Sequence, residues 1–360
     1  MKKSIQKLQP YVPETPLSEL KKSLNLDRIV RLSANENPYG TSPKVAAELA
    51  SSFLEANRYP DGAAADLREA VSEFYAVDPK QLVFGVGLDE IIGLLNRTFL
   101  SAGVEVIVSV PTFSEYLINA QIEEAVPVSI STLANGHIDF SQMLNAITSK
   151  TKMIWLCNPN NPTGTYESQK DIQAFISQVP KDVLVVIDEA YLEYVTDEAE
   201  SSAIHLPAKL TNVVVLRTFS KVYGLANFRV GFGVFPDQLA QYMQAVRAPY
   251  NLSTVSQEAA LTALKDQEFV ANTLEKTIGE RKKWESFLQK NGIKFYHSQT
   301  NFLFIKVPKA LRTAEFLLKN GFLVRSGLKL NWLRITIGEP DDNARLQALL
   351  LNEISKTTAP

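Results

Sequence analysis

The sequence predicts an α/β protein: a mostly parallel β-sheet covered by helices, followed by a smaller α+β unit. Three observations carry this. Between Gln81 and Phe235, short apolar runs rich in Val and Ile alternate with stretches of helical periodicity, the pattern of a sheet with helical crossovers on both faces. Three consecutive runs of that series end in polar clusters, at Asn158–Asn161, Asp188–Tyr191 and Ser220–Lys221, which a parallel sheet brings to one edge. After about residue 236 the rhythm changes to long helices separated by short strands.

The 360 residues leave room for a large core and two domains, read as an arm over 1–42, a large domain over 43–247 and a small domain over 248–360. Apolar and charged fractions of 45% and 21% are those of an ordinary globular protein. A formal net charge of -2 gives no support for nucleic acid or an anionic membrane as a partner. One cysteine, Cys157, excludes a disulfide within the chain and points to a reduced, cytoplasmic setting. The histidines His137, His205 and His297 have no metal-ligand spacing. The opening M-K-K-S-I-Q-K-L lacks the apolar stretch of a secretory signal, and no run approaches membrane-spanning length.

In the arm, prolines at 10, 13, 16, 38 and 43 limit regular structure to a short helix over Leu17–Leu24 and a short strand over Ile29–Leu32. S-A-N-E-N-P-Y-G (Ser33–Gly40) is dense in turn residues and reads either as a surface turn or as a loop that touches substrate. Helical patterns over Pro43–Leu54 and Ala64–Tyr75 flank the break at R-Y-P-D-G (Arg58–Gly62). A strand at Gln81–Phe84, the turn G-V-G-L-D-E (Gly85–Glu90) and a helix to about Leu100 together form a phosphate cradle, since the helix's first N–H groups have no internal partner. Asp89 and Glu90 suit the helix dipole, but their carboxylates must turn away from a bound phosphate.

Strands at Val104–Ser109, Ala125–Ile130, Met153–Leu156, Val183–Ile187, Val213–Leu216 and Arg229–Phe235 follow, with helices opening at Pro111 and spanning Phe140–Ile147 and Asp171–Gln178. A helix over Gln238–Val246 leads to the small domain, which has helices over 254–291, Ala314–Lys319 and Asp341–Ile354, with strands at Phe302–Val307 and Leu333–Ile337.

Lys221 ends a core strand beside Ser220, eight residues before Arg229. Two readings stand side by side: a desolvated amine that forms a Schiff base at an anion site, or a structural turn with a snorkelling lysine. With an aromatic aldehyde on that edge, Lys221 would hold it and Asp188 would pair with a protonated ring nitrogen. Tyr191 and Asn161 would hydrogen-bond the ring phenolate, Phe113 would stack on the ring, and Ser220, Arg229 and Leu88–Glu90 would take a phosphate.

The chain resembles the class II, fold-type-I pyridoxal-phosphate aminotransferases, and within them the histidinol-phosphate aminotransferases. The resemblance covers nearly the whole chain. It is carried by A-N-E-N-P-Y-G (Ala34–Gly40), R-Y-P-D (Arg58–Asp61), N-P-N-N-P-T-G (Asn158–Gly164), D-E-A-Y (Asp188–Tyr191), R-T-F-S-K…R (Arg217–Arg229) and L-R-I-T-I-G (Leu333–Gly338). It implies pyridoxal 5'-phosphate as cofactor, Lys221 as its Schiff-base lysine and proton carrier, and Asp188, Tyr191, Asn161, Ser220, Arg229 and Phe113 as its holders. It also implies a homodimer in which Tyr59 reaches the neighbouring subunit's cofactor phosphate. Arg334 and Arg325 would bind the substrate's anionic end, with Asn37 and Tyr11 as further substrate-binding candidates.

Three departures stand out. Val86 and Leu88 replace polar residues of the family's usual G-N-G-S-D-E, Phe113 stands for a tyrosine, and A-N-F-R (Ala226–Arg229) replaces A-G-L-R. The activity implied is transamination of histidinol phosphate with 2-oxoglutarate. The rivals are an aromatic aminotransferase or a threonine-phosphate decarboxylase on the same scaffold, and a non-catalytic sensor. A sensor of that kind carries a separate basic DNA-binding domain, for which no residues are spare.

Overall fold

Every sheet strand from Leu82 onward is fed by a β-branched or aromatic run, and the connections between them decide its direction. A computed structural model describes residues 2, 4–8, 14–51, 56–196 and 201–358. The arm forms α1 (Leu17–Leu24) and β1 (Val30–Leu32), then α2 (Pro43–Ser51) and α3 (Ala65–Tyr75). The large unit continues with β2 (Leu82–Val86), α4 (Gly87–Phe99), β3 (Glu105–Val110), α5 (Ser114–Ile122), β4 (Val126–Ser131), α6 (Phe140–Asn145), β5 (Thr151–Cys157), α7 (Gln169–Ile176), β6 (Leu184–Asp188), β7 (Val213–Thr218), β8 (Val230–Val234) and α8 (Asp237–Val246). The chain ends with α9 (Thr254–Lys265), α10 (Gln267–Lys290), β9 (Phe302–Lys306), α11 (Ala310–Lys319), β10 (Phe322–Val324), β11 (Trp332–Thr336) and α12 (Pro340–Thr358).

One sheet has the order β2-β8-β7-β6-β5-β3-β4. Long crossovers make the β4-β3-β5-β6-β7 pairings parallel, whereas the short turn from β7 to β8 forces an antiparallel pair. The central strands β6, β7 and β8 are buried along their whole length. Alternation splits their side chains between two cores. Trp155, Cys157, Val186 and Leu216 join the core under α3, α4 and α9, while Ile154, Leu156, Ile187 and Val215 join the core under α6 and α7. The same period of two puts Asp188 on the face of Val186. Register pairs it with Cys157 and leaves both at the carboxyl edge of the sheet.

A third core gathers Trp284 and Leu288 of α10 with β9, β10, β11 and α12. Ala259, Ala260, Ala263 and Leu264 of α9 belong to the first core instead. Along α10 the packing passes from the first core, at Val270, to the third, at Trp284. The arm's β1 pairs in parallel with β10, Val30 opposite Phe322, so the chain's beginning is stitched to its end. Among the described residues no helix is long and apolar enough to cross a membrane.

Candidate active site

The carboxyl edge of the sheet opens into a cavity of about 390 Å³. Ten of the sequence-predicted residues line it. Leu88 and Asp89 come from the α4 amino end, Phe113 from the α5 entry and Asn161 from the loop after β5. Asp188 and Tyr191 follow β6, Ser220, Lys221 and Arg229 flank the β7–β8 turn, and Arg334 comes from β11. Lys221 and Asp188 thus share one side of the sheet.

Asp188 is buried, and desolvation pushes its carboxyl from the ordinary 3.8 up to about 6. Two donors hold it back from rising further: the Tyr116 hydroxyl, 2.6 Å from Oδ2, and the Ala190 N–H, 3.0 Å from Oδ1. The Lys221 ammonium acts in the same sense and the Asp89 carboxylate in the opposite one. Lys221 Nζ lies 5.5 Å from the centre of the Tyr191 ring. The Tyr191 hydroxyl accepts from Asn35 Nδ2 at 2.9 Å. Burial, then Asp188, pushes the Cys157 thiol up to about 12, so this cysteine is a neutral wall group rather than a nucleophile.

The cradle is built by close approach. Val86 N–H donates to Glu90 Oε2 at 2.6 Å and Gly87 N–H to Arg229 O at 2.9 Å. Leu88 and Asp89 remain bordering the cavity, with first-turn N–H groups that have no helical acceptor. Gly87 sits at φ +70, and a Cβ there would run into the Arg229 guanidinium. Arg229 Nη2 donates to Asp89 Oδ2 at 2.8 Å. One of the two acidic residues therefore turns away as expected, and the other does not. Glu90 folds back on its own helix end, accepts also from Asn251 at 2.8 Å, and does not line the cavity. Leu88 packs on Gly231, so any anion contact here runs through backbone. In the altered A-N-F-R segment, Asn227 is exposed and Phe228 packs on the main core.

Arg334 is only 8% exposed and its guanidinium is lowered to about 10 by burial. Nη1 donates to Asn161 Oδ1 at 2.6 Å and Nη2 to the Ser33 carbonyl, while Nε has no partner among the described residues. A buried guanidinium on a cavity wall suits an anion.

Besides Glu90, four predicted residues lie elsewhere or outside the described residues. Arg325 pairs with Arg334 through backbone; its side chain is exposed and is not among the cavity's lining residues, although its charge acts on the Arg334 guanidinium. Asn37 spends both polar ends on protein, donating to Val222 O at 2.9 Å and accepting from Tyr39 N–H at 3.0 Å. It clamps the arm loop to the lysine turn, where Gly224 meets the Gly40 carbonyl too closely for any side chain. Tyr59 is 81% exposed and stacks on Tyr250 at 4.8 Å, away from its own chain's cavity. Tyr11 lies outside the described residues.

Sequence reasoning missed Tyr116, Asn35, Glu36 and Thr218 among the lining residues. Tyr116 follows Phe113 by three, a helical spacing that puts both on one face. Asn35 had no such signal. Its partners Thr336 and Asn301 lie 301 and 266 residues away.

Residues 27–349 match the family model of class I and II aminotransferases. The chain is 51% identical over 351 residues to a histidinol-phosphate aminotransferase of Lactiplantibacillus plantarum, covering 97% of this chain and 99% of the relative. It is 49% identical over 356 residues to the protein of the same name from Limosilactobacillus fermentum, covering 97% and 98%. In structure it is similar to the crystal structure of histidinol-phosphate aminotransferase from Sinorhizobium meliloti in complex with pyridoxal-5'-phosphate, with a TM-score of 0.90, 25% identity and coverage of 99% and 98%.

Proposed function

The chain belongs to the class I and II aminotransferases, in the histidinol-phosphate aminotransferase branch, and from that premise we propose that it transaminates histidinol phosphate with 2-oxoglutarate, giving imidazole-acetol phosphate and glutamate. The observation that carries this reading is the convergence of an amine (Lys221), a buried acid (Asp188) and a buried guanidinium (Arg334) on one cavity from three separate strands or the turns that follow them. The residues fit pyridoxal phosphate, since the Gly87 cradle has room only without a Cβ and the Arg229 guanidinium closes it. When bound, this cofactor supplies an aldehyde that takes up the amino group and a ring that withdraws electrons from the reacting carbon.

The chain's own residues do the rest. Lys221 would hold the aldehyde through Nζ and, once the substrate amine has displaced it, would carry the proton away from the amine-bearing carbon. Asp188 would hold a proton on the ring nitrogen, with a cation in the site drawing its carboxyl back toward the ordinary range. Tyr191 and Asn161 would hydrogen-bond the ring oxygen, Phe113 would stack on the ring, and Ser220, Arg229 and the Leu88–Asp89 backbone would take the phosphate. Arg334 receives the phosphate ester of one substrate and the carboxylate of the other, since a guanidinium fork accepts either. The working form is a cytoplasmic homodimer in which Tyr59 reaches the partner's cofactor phosphate, a reading supported by the exposure of that large aromatic beside Tyr250.

The near-visible spectrum tests this. Purified protein with pyridoxal phosphate should absorb in the near-visible and bleach on addition of histidinol phosphate, and borohydride should fix the label on Lys221. Initial rates with histidinol phosphate, phenylalanine and threonine phosphate then rank the substrates. A hundredfold preference for phenylalanine overturns the assignment.

A further inference from the structure

We propose that Tyr116 is a positioning residue for Asp188, its hydroxyl fixing one carboxylate oxygen and favouring the charged form that must face a protonated ring nitrogen. The inference rests on the cofactor reading above. Tyr116 is fully buried, and its ring is held between neighbours: stacked on Trp155 at 4.5 Å and 10°, with Phe113 edge-on at 5.6 Å and 83°. Packing of that kind asks only for a ring, and phenylalanine would supply it. The hydroxyl donates to Asp188 Oδ2 at 2.6 Å, the length of a charge-assisted O–H···O⁻ bond, with the Cys157 thiol beside it as a weaker neighbour.

The surroundings leave Tyr116 alone in this role. Around Asp188, α5 offers Tyr116, β5 the neutral thiol of Cys157, the α4 amino end the carboxylate of Asp89, and the turn after β7 the amine of Lys221. Among the described residues Tyr116 is the only side chain that donates a hydrogen bond to the Asp188 carboxylate, and the Ala190 N–H is the only backbone group that does. The Ala190 bond holds Oδ1 from the chain's own turn. Tyr116 fixes the other oxygen from across the sheet and so sets the tilt of the carboxylate plane. Burial opposes ionisation here, and the phenol is the largest influence resisting it.

Tyr116→Phe tests this in cofactor-free protein labelled with [13Cγ]aspartate, with the Asp188 resonance assigned by its loss in Asp188→Asn. The titration midpoint of Asp188 should rise by about one unit, the size expected for losing one hydrogen bond to a charged group. In the loaded enzyme the acidic limb of the kcat/KM profile should move the same way, a change that a purely structural defect would not produce. An unchanged or lower Asp188 midpoint in folded Tyr116→Phe protein overturns the proposal. Should that variant not fold, wild-type protein decides: a downfield hydroxyl proton that titrates together with Asp188 supports the bond, and its absence refutes it. Wild-type protein that never acquires the near-visible band sinks the cofactor reading instead, while an intact band with equal Asp188 midpoints sinks only this inference.

Discussion

Asp188→Asn should stabilise the cofactor-free protein, and only at neutral and alkaline pH. Asp188 titrates near 6 in the fold against an ordinary 3.8. Its folded value lies above its unfolded one, so from about pH 4 to pH 6 the native state binds more protons than the unfolded chain and stability falls as pH rises. Above that window the loss is complete. Two units at about 1.4 kcal/mol each give roughly 3 kcal/mol. A chain of 360 residues with an unfolding entropy of about 2 cal/mol/K per residue converts this to a Tm difference of about 4 °C. Asparagine keeps an acceptor for the Tyr116 hydroxyl and removes the charge. Thermal melts of cofactor-free wild type and variant at about pH 8 and about pH 4 make the measurement, with other titrating groups common to both proteins. The variant should melt about 4 °C higher at the first pH and within about 1 °C of wild type at the second. A gap that stays constant across that range would refute the buried-charge argument. Added pyridoxal phosphate should reverse the order at pH 8, because a ring cation rewards the carboxylate and not the amide.

Other perturbations probe separate parts of the site. Lys221→Ala should abolish transamination, measured as 2-oxoglutarate-dependent turnover, while circular dichroism stays unchanged, since no hydrogen bond or ion pair among the described residues holds its Nζ. Asp89→Asn should tighten phosphate binding about 1.5- to 5-fold in a calorimetric titration, because the exposed Asp89–Arg229 pair competes with the anion by only a few tenths to one kcal/mol. Gly87→Ala should weaken cofactor binding and lower the melting temperature, as the added methyl meets the Arg229 guanidinium at a backbone angle that L-residues avoid. Arg334→Lys should cut kcat/KM for both substrates of the cycle at least 100-fold, because an ammonium cannot reach Asn161, the Ser33 carbonyl and an anion at once.

What could be read without coordinates follows from periodicity. The period of two along β5, β6 and β7 and the polar residues at their ends suffice to bring Asn161, Asp188 and Lys221 to one edge. The misjudged residues are those that local pattern cannot rank. Asn35 and Asn37 sit in one turn-rich motif, and only the distant Thr336 and Asn301 distinguish the lining residue from the clamp. Asp89 and Glu90 are adjacent acids, and a helical rotation of about 100° sends one to Arg229 and the other back to Val86 N–H. Strand β10 went unread because three residues form a strand only through partners, here β1 and the bridge to Arg334.

The pairing of β1 with β10, and of Asn35 with Thr336, 301 residues away, means that one pocket wall is made from segments distant in the polypeptide. During synthesis the lysine and the acid emerge well before the last strand, so the nascent protein can mature its central sheet while the pocket still lacks one side. Loss of the final β-strand and helix should leave a protein that shows sheet by circular dichroism yet retains no cofactor.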